Sequence, residues 1–102
     1  LLVSSVAAAI GGGVSLAYAA SKAGQLGLAA FIARRVLADG VTVNAILPGA
    51  VDTDMLRDLA PAGTPPIGRP GTPEEVAQLG VAMLANGFMT GQAVHLNGGM
   101  FP

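Results

Sequence analysis

Val41-Thr42-Val43-Asn44-Ala45-Ile46-Leu47, closed by Pro48-Gly49, is the stretch on which the fold turns. It is rich in β-branched residues and nearly continuous in hydrophobicity. A strand with one wet face alternates, so this one belongs in a parallel sheet covered on both faces. Upstream, from about Leu16 to Asp39, the chain is rich in Ala, and Leu26, Phe31, Ile32, Val36 and Leu37 give a broad apolar face. That is a long helix, stopped by Gly40. Gly24 and Gly27 inside it each cost about 1 kcal/mol relative to Ala, a cost tolerated where another backbone approaches, as at a subunit interface. Further upstream, Leu1-Leu2-Val3-Ser4-Ser5-Val6 reads as a buried strand that the triplet Gly11-Gly12-Gly13 breaks. Downstream, Asp52 to Arg57 is one helical turn or two, and Pro61 to Pro70 is an irregular loop. Thr72-Pro73-Glu74-Glu75 is a helix start: Thr72 as N-cap, Pro73 at N1, Glu75 reaching back to close a capping box. The helix runs to about Ala85, burying Val76, Ala77, Leu79, Val81, Met83 and Leu84, and Asn86-Gly87 stops it. Gln92 to Leu96 is a last strand, followed by Asn97-Gly98-Gly99. Helices between successive strands predict right-handed crossovers and a parallel α/β sheet.

Composition narrows what such a fold can do. The chain has 102 residues, 5 basic and 6 acidic side chains, 1 His and no Cys. A net charge of -1 supplies no basic field for nucleic acid or anionic lipid. One His and no Cys exclude zinc fingers, iron–sulfur clusters and disulfide frameworks. The length allows one domain at most. Hydrophobic residues make up 52% and charged residues 11%, against about 25% charged in ordinary soluble domains. Disorder is thereby excluded, and part of the surface is expected to be covered by a partner. The first residue is Leu1, which points to processing or truncation at the N-terminus. Residues 1–21 are uncharged and Ala17-Tyr18-Ala19 resembles a signal-peptidase site, but the first charge, Lys22, lies on the wrong side for a secretory signal. The glycine triplet also interrupts any spanning helix.

Tyr18 and Lys22 stand four apart at the start of the long helix, on one face. A phenol is a poor proton carrier at neutral pH. A lysine cation about 4 Å away stabilises phenolate by roughly 4 kcal/mol at an effective dielectric near 20. The helix N-terminus acts in the same sense, while desolvation of the phenolate opposes both. The pair is therefore suited to acid/base work, although taken alone such a pair is more often simply solvated. Its company changes that. Ser5, thirteen residues before Tyr18, lies at the C-terminal end of a strand, and Pro48-Gly49-Ala50-Val51-Asp52-Thr53 follows the next strand at the same edge. Open α/β sheets place their ligands there.

Together these residues resemble the short-chain dehydrogenase/reductase family. Its Tyr-x-x-x-Lys is Tyr18-Ala19-Ala20-Ser21-Lys22, its catalytic Ser matches Ser5, and its Pro-Gly-x-x-x-Thr runs from Pro48 to Thr53. Val41-Thr42-Val43-Asn44, Thr90-Gly91-Gln92 and Asn97-Gly98-Gly99 match further family motifs in colinear order, most like the bacterial 3-oxoacyl-acyl-carrier-protein reductases. The resemblance implies a three-layer Rossmann-like α/β fold and an NAD- or NADP-dependent oxidoreductase interconverting a small carbonyl and a secondary alcohol. In it Tyr18 would be the proton donor or acceptor. Lys22 would favour the phenolate and bond the nicotinamide ribose, and Ser5 would bond the substrate oxygen. Pro48, Gly49, Val51 and Thr53 would hold the nicotinamide, and residues from about Asp54 to Arg69 would form a flap over the substrate. It further implies a cytoplasmic homodimer or homotetramer, with no nucleic-acid or membrane partner.

The family's glycine-rich pyrophosphate turn has no counterpart here, since Gly11-Gly12-Gly13 follows the Ser5 strand. Residues 1–102 therefore read as a partial Rossmann-like catalytic domain, the C-terminal half of the fold, inactive by itself. Leu2 stands where the family often has Asn, the link from Leu84 to Thr90 is short, and the flap is short and Pro-rich. The alternatives are a 3-oxoacyl-acyl-carrier-protein reductase specifically, and a non-catalytic half-length protein that assembles through apolar helices. Plainer readings stand beside the site: Ser5 as a hydroxyl satisfied by backbone, Thr53 as an N-cap, Asp52 and Asp54 as solvated or capping rather than metal ligands, His95 as a lone strand residue, and Arg34 and Arg35 as helix-end cations without a partner.

Overall fold

The computed structural model describes residues 1–12, 14–59 and 63–101. The chain forms β1 (Leu2–Val3), α1 (Ala7–Ile10), α2 (Leu16–Arg35) and a 3-10 turn at Leu37–Asp39. It continues as β2 (Ala45–Pro48), α3 (Asp54–Asp58), α4 (Pro73–Ala85) and β3 (Ala93–Leu96). The three strands are parallel in the order β1-β2-β3, with Leu2 and Ala93 both opposite Ala45. The central strand is paired on both sides: Leu2 N and Ser4 N donate to Asn44 O and Ile46 O at 2.9 and 2.8 Å, and Ala45 N donates to Gln92 O at 2.8 Å. Ala45, Ile46 and Leu47 are fully buried, as continuous hydrophobicity predicts for a strand covered on both faces.

Alternation of side chains divides that burial between two layers. Ala45 and Leu47 pack on Ala29 of α2, with Leu2, Ala8, Leu26 and Val43 around them. Ile46 and its register partners Val3 and Val94 face the other way. On that side lies α4, with Met83 buried and Gly80 so close to Leu1 that a Cβ there would sit 3.1 Å from Leu1 Cδ2. The three-layer α/β arrangement is thus present. The strands advance in one direction while α2 and α4 cover opposite faces, so the two crossovers have opposite hands. One of them departs from the right-handed rule. The long β2-to-α4 connection gives the chain the length to reach the far face.

Several boundaries differ from the sequence reading. β1 ends at Val3, and Val6 opens the single-turn α1, closed by Gly11 at φ 69°. The run Ala7-Ala8-Ala9 was its one propensity signal. α2 stops at Arg35, and residues 37–39 tighten to a 3-10 turn before Gly40 at φ 71°. Val41–Asn44 lies outside β2, and side chains make part of its bonding. Asn44 Nδ2 donates to Met89 O at 2.7 Å, Gln92 N donates to Asn44 Oδ1 at 3.1 Å, and Val43 N donates to Thr90 Oγ1 at 3.0 Å. A Cβ at Gly24 or Gly27 would meet nothing within 4 Å, so no backbone of another element among the described residues approaches them. The Thr72–Glu75 capping box forms as read. Of the α4 residues expected to be buried, Met83 is, Val76 and Leu79 are half-buried, and Val81 and Leu84 are 65% and 62% exposed. Among the described residues no helix is long and apolar enough to cross a membrane.

Gly49 and Gly27 form a matched pair for measurement. A Cβ on Gly49 would lie 2.8 Å from Asn97 Cα, whereas one on Gly27 meets open space. Gly49→Ala should destabilise the chain by about 1–3 kcal/mol through overpacking. Gly27→Ala should stabilise it by about 0.4–1 kcal/mol by restricting the unfolded chain. Urea denaturation of the two variants checks both signs.

Candidate active site

The C-terminal ends of β1 and β2 open onto a cleft of about 430 Å³. Ser5, Tyr18, Lys22, Pro48, Gly49, Val51 and Thr53 all line it, so every site residue read from the sequence borders the same space. Val3, Met55, Leu56, Leu59, Pro73 and Val76 complete the wall.

α2 brings Tyr18 and Lys22 to this edge. Ser15 caps the helix by accepting Tyr18 N at 3.1 Å, which places Tyr18 in the first turn and Lys22 one turn on. Two bonds then pin that turn to β1. Ser4 Oγ, on a residue 4% exposed, donates to Lys22 O at 2.8 Å, and Lys22 Nζ donates to Val3 O at 3.1 Å. The ammonium lies 5.6 Å from the Tyr18 ring centroid. Ser5 Oγ accepts Ala7 N at 3.2 Å, so the plainer reading of a backbone-satisfied oxygen is partly realised while the O–H remains a donor.

At the end of β2, Gly49 N donates to Leu96 O at 2.9 Å, and the absent side chain lets Asn97 approach. The chain then forms a one-residue bridge between Val51 and Gly71: Gly71 N donates to Ala50 O at 2.9 Å and Asp52 N to Gly71 O at 2.8 Å. Thr53 is the N-cap of α3, accepting Leu56 N at 3.3 Å and donating to Val51 O at 3.3 Å, so capping and cleft-lining coincide.

Several charged groups stand apart from the cleft. Asp52 and Asp54 pair with Arg57 at 3.0 and 2.8 Å, and no group of three metal-ligating side chains occurs among the described residues. His95 packs on Phe101 with ring centroids 5.1 Å apart. Arg35, read as needing no partner, has one: it lies 3.4 Å over the Phe31 ring and donates to Phe31 O at 3.3 Å. Ahead of α4, Arg69 forks onto Glu75 at 2.6 and 3.0 Å, and Thr72 N donates to the same carboxylate at 2.8 Å. The Arg69 bonds, seconded by the Thr72 N–H, lower the Glu75 pKa to about 2. Ser4, Asn44 and this ion pair went unassigned in the sequence. A polar residue inside an apolar run was the signal for Ser4, and no local pattern marks Arg69 as the partner of Glu75.

A family model described as enoyl-(acyl carrier protein) reductase matches residues 1–101. The chain is 40% identical over 110 residues to the 3-oxoacyl-[acyl-carrier-protein] reductase FabG of Escherichia coli K12, covering 99% of this chain and 45% of that protein. It is 41% identical over 93 residues to the acetoacetyl-CoA reductase of Rhizobium meliloti, covering 82% of this chain and 39% of that protein. The crystal structure of 3-oxoacyl-[acyl-carrier protein] reductase from Brucella melitensis superposes with a TM-score of 0.88 at 31% identity, over 98% of this chain and 41% of that one. The chain thus spans less than half the length of the curated relatives it matches.

The Glu75 clamp carries a pH signature. Its carboxyl binds a proton near the ordinary 4.5 when unfolded but only near 2 when folded. Its contribution to stability is therefore full above the unfolded value and lost as pH falls towards the folded one. Because the pair is exposed, urea midpoints of the wild type and Glu75→Gln should differ only slightly at neutral pH, and that difference should vanish as pH drops through the window.

Proposed function

The chain belongs to the short-chain dehydrogenase/reductase family, and on that premise we propose that it carries the proton-transfer and substrate-binding side of an NAD(P)(H)-dependent oxidoreductase acting on a carbonyl or secondary alcohol. The observation that carries this reading is the single cleft that gathers Ser5, Tyr18, Lys22 and the Pro48–Thr53 strip. A protein serving assembly alone has no need of that convergence.

In the reducing direction Tyr18 donates its phenolic proton to the carbonyl oxygen, and in the oxidising direction it takes the proton back. The Lys22 ammonium favours the phenolate left behind and is held on the cleft side by Val3 O. Its remaining N–H donors suit a ribose hydroxyl. The Ser5 hydroxyl, oriented through its bond from Ala7 N, donates to the same substrate oxygen and stabilises charge developing there. Pro48, Gly49, Val51 and Thr53, which line the same cleft, would hold the nicotinamide ring and its carboxamide. When bound, the nicotinamide supplies or accepts the hydride.

The names of the relatives support a 3-oxoacyl thioester as the substrate class, and the apolar walls Met55, Leu56, Leu59 and Val76 suit an acyl chain. The flap would be the chain from about Asp54 to Arg69. The working form is proposed to be a cytoplasmic homodimer or homotetramer, in keeping with apolar side chains left outside, Phe88 being 100% exposed. Residues 1–102 constitute the C-terminal, catalytic part of the Rossmann-like domain. Lacking a glycine-rich pyrophosphate turn, they are expected to turn over no substrate by themselves. Micromolar binding of a nicotinamide dinucleotide to these residues alone would contradict that.

The decisive measurement uses the protein expressed from its complete reading frame, with acetoacetyl thioesters and NADPH or NADH. Tyr18→Phe should lower kcat by about 10²–10⁴-fold, the usual worth of a positioned acid/base, with cofactor affinity retained. Lys22→Ala should lower kcat and weaken cofactor binding together. A Tyr18→Phe enzyme with undiminished kcat would overturn the assignment.

A further inference from the structure

The backbone strip Ala50–Asp52 is paired with no strand of the sheet. Among the described residues its backbone-to-backbone bonds go to Gly71, and Val51 O also accepts the hydroxyl of its chain neighbour Thr53 at 3.3 Å. Val51 borders both the main cleft and a second cavity of about 330 Å³, which Gly71, Arg69 and Glu75 also line. A partition between two spaces keeps its position only through the bonds that tie it. Gly71 is therefore the support of the strip, and what fixes Gly71 fixes Val51.

Gly71 sits in a segment with little regular structure, held on both sides. Ile67 N donates to Gly98 O at 3.0 Å on one side. On the other, both oxygens of Glu75 are engaged: Oε1 by Arg69 Nη2, Oε2 by Arg69 Nη1 and by Thr72 N. Arg69 Nη1 also donates to Pro70 O at 3.0 Å. One network thus grips residues 69, 70 and 72 and leaves Gly71 between its jaws. A two-pronged Arg–carboxylate contact fixes orientation as well as distance. Exposed ion pairs contribute little to global stability, so local geometry is the more fitting role for this one.

We infer that Arg69 and Glu75 are positioning residues: their ion pair, anchored on the first turn of α4, holds Gly71 against Val51 and so sets the place of the backbone on which the nicotinamide carboxamide rests. The functional half of this statement depends on the proposed function, while the structural half does not.

Amide hydrogen exchange on this chain tests the structural half. Glu75→Gln removes the ion pair but keeps a side chain able to complete a capping box. The Asp52 and Gly71 amides should then exchange about tenfold faster or more, as local opening without global unfolding requires, while Ser4 and Ala45 amides stay at the wild-type rate. Arg69→Lys, which keeps the charge and loses the fork, should shift the same two amides less. Unchanged Asp52 and Gly71 amides, or a uniform rise at all four positions, would overturn the inference in favour of a plain helix cap. In the enzyme from the complete reading frame, Glu75→Gln should raise KM for the dinucleotide with kcat little changed, the reverse of the split expected for Tyr18→Phe. If Tyr18→Phe behaves as expected and Glu75→Gln leaves that KM alone, the positioning role is wrong. If Tyr18→Phe has no effect, the proposed function is wrong and amide exchange still decides the clamp.

Discussion

Two hydrogen bonds running in opposite directions between β1 and α2 underlie the site. Ser4 gives its hydroxyl proton to the backbone of Lys22, and Lys22 gives an ammonium proton to the backbone of Val3. The first is nearly sealed from water, where an unmade bond would cost about 1–3 kcal/mol. It therefore fixes the rotation and height of α2 relative to the strand end. The second uses the same residue to place a positive charge beside the Tyr18 ring. A helix turned by a third of a revolution would lose both bonds and carry the phenol away from Ser5.

Much of this arrangement was legible in the residues. The capping box of α4, the burial of β2 and the helix from Leu16 have strong local causes, and their chemistry is written in neighbouring positions. The grouping of Ser5, Tyr18 and Lys22 at one sheet edge was readable from their places along the strands and helix, and the family resemblance singled out those three. Illegible features were those made by distant partners. Asn44 reads as a strand residue until Met89 and Gln92 arrive to bond its side chain. Arg69 reads as a loop cation until the chain folds back on Glu75. The opposite hands of the two crossovers also had no local signal. Alternation shows that both faces of β2 are covered, but not which helix covers which.

Burial was overestimated on the two long helices for one reason. Helix periodicity marks which residues share a face, and it does not say whether this chain supplies the cover. Leu28 and Phe31 of α2, and Val81 and Leu84 of α4, remain largely exposed. The surplus of apolar residues noticed in the composition is located there, on the outward sides of both layers. An open face at Gly24 and Gly27 fits the same picture, since small residues without neighbours leave room for close approach.

The cleft is built by two sets of elements with different duties. The end of β1 and the start of α2 contribute the hydroxyl, phenol and ammonium, tied together by the Ser4–Lys22 and Lys22–Val3 bonds. α3, with Met55 and Leu56, and Leu59 after it add only hydrocarbon, standing on a five-residue helix tied to the rest chiefly by Thr53. Reactivity and selectivity are therefore separable in this architecture. On the proposed function, the hydrocarbon wall could be exchanged for another without disturbing Ser5, Tyr18 and Lys22, which would let one sheet edge serve a series of substrates as that wall diverges.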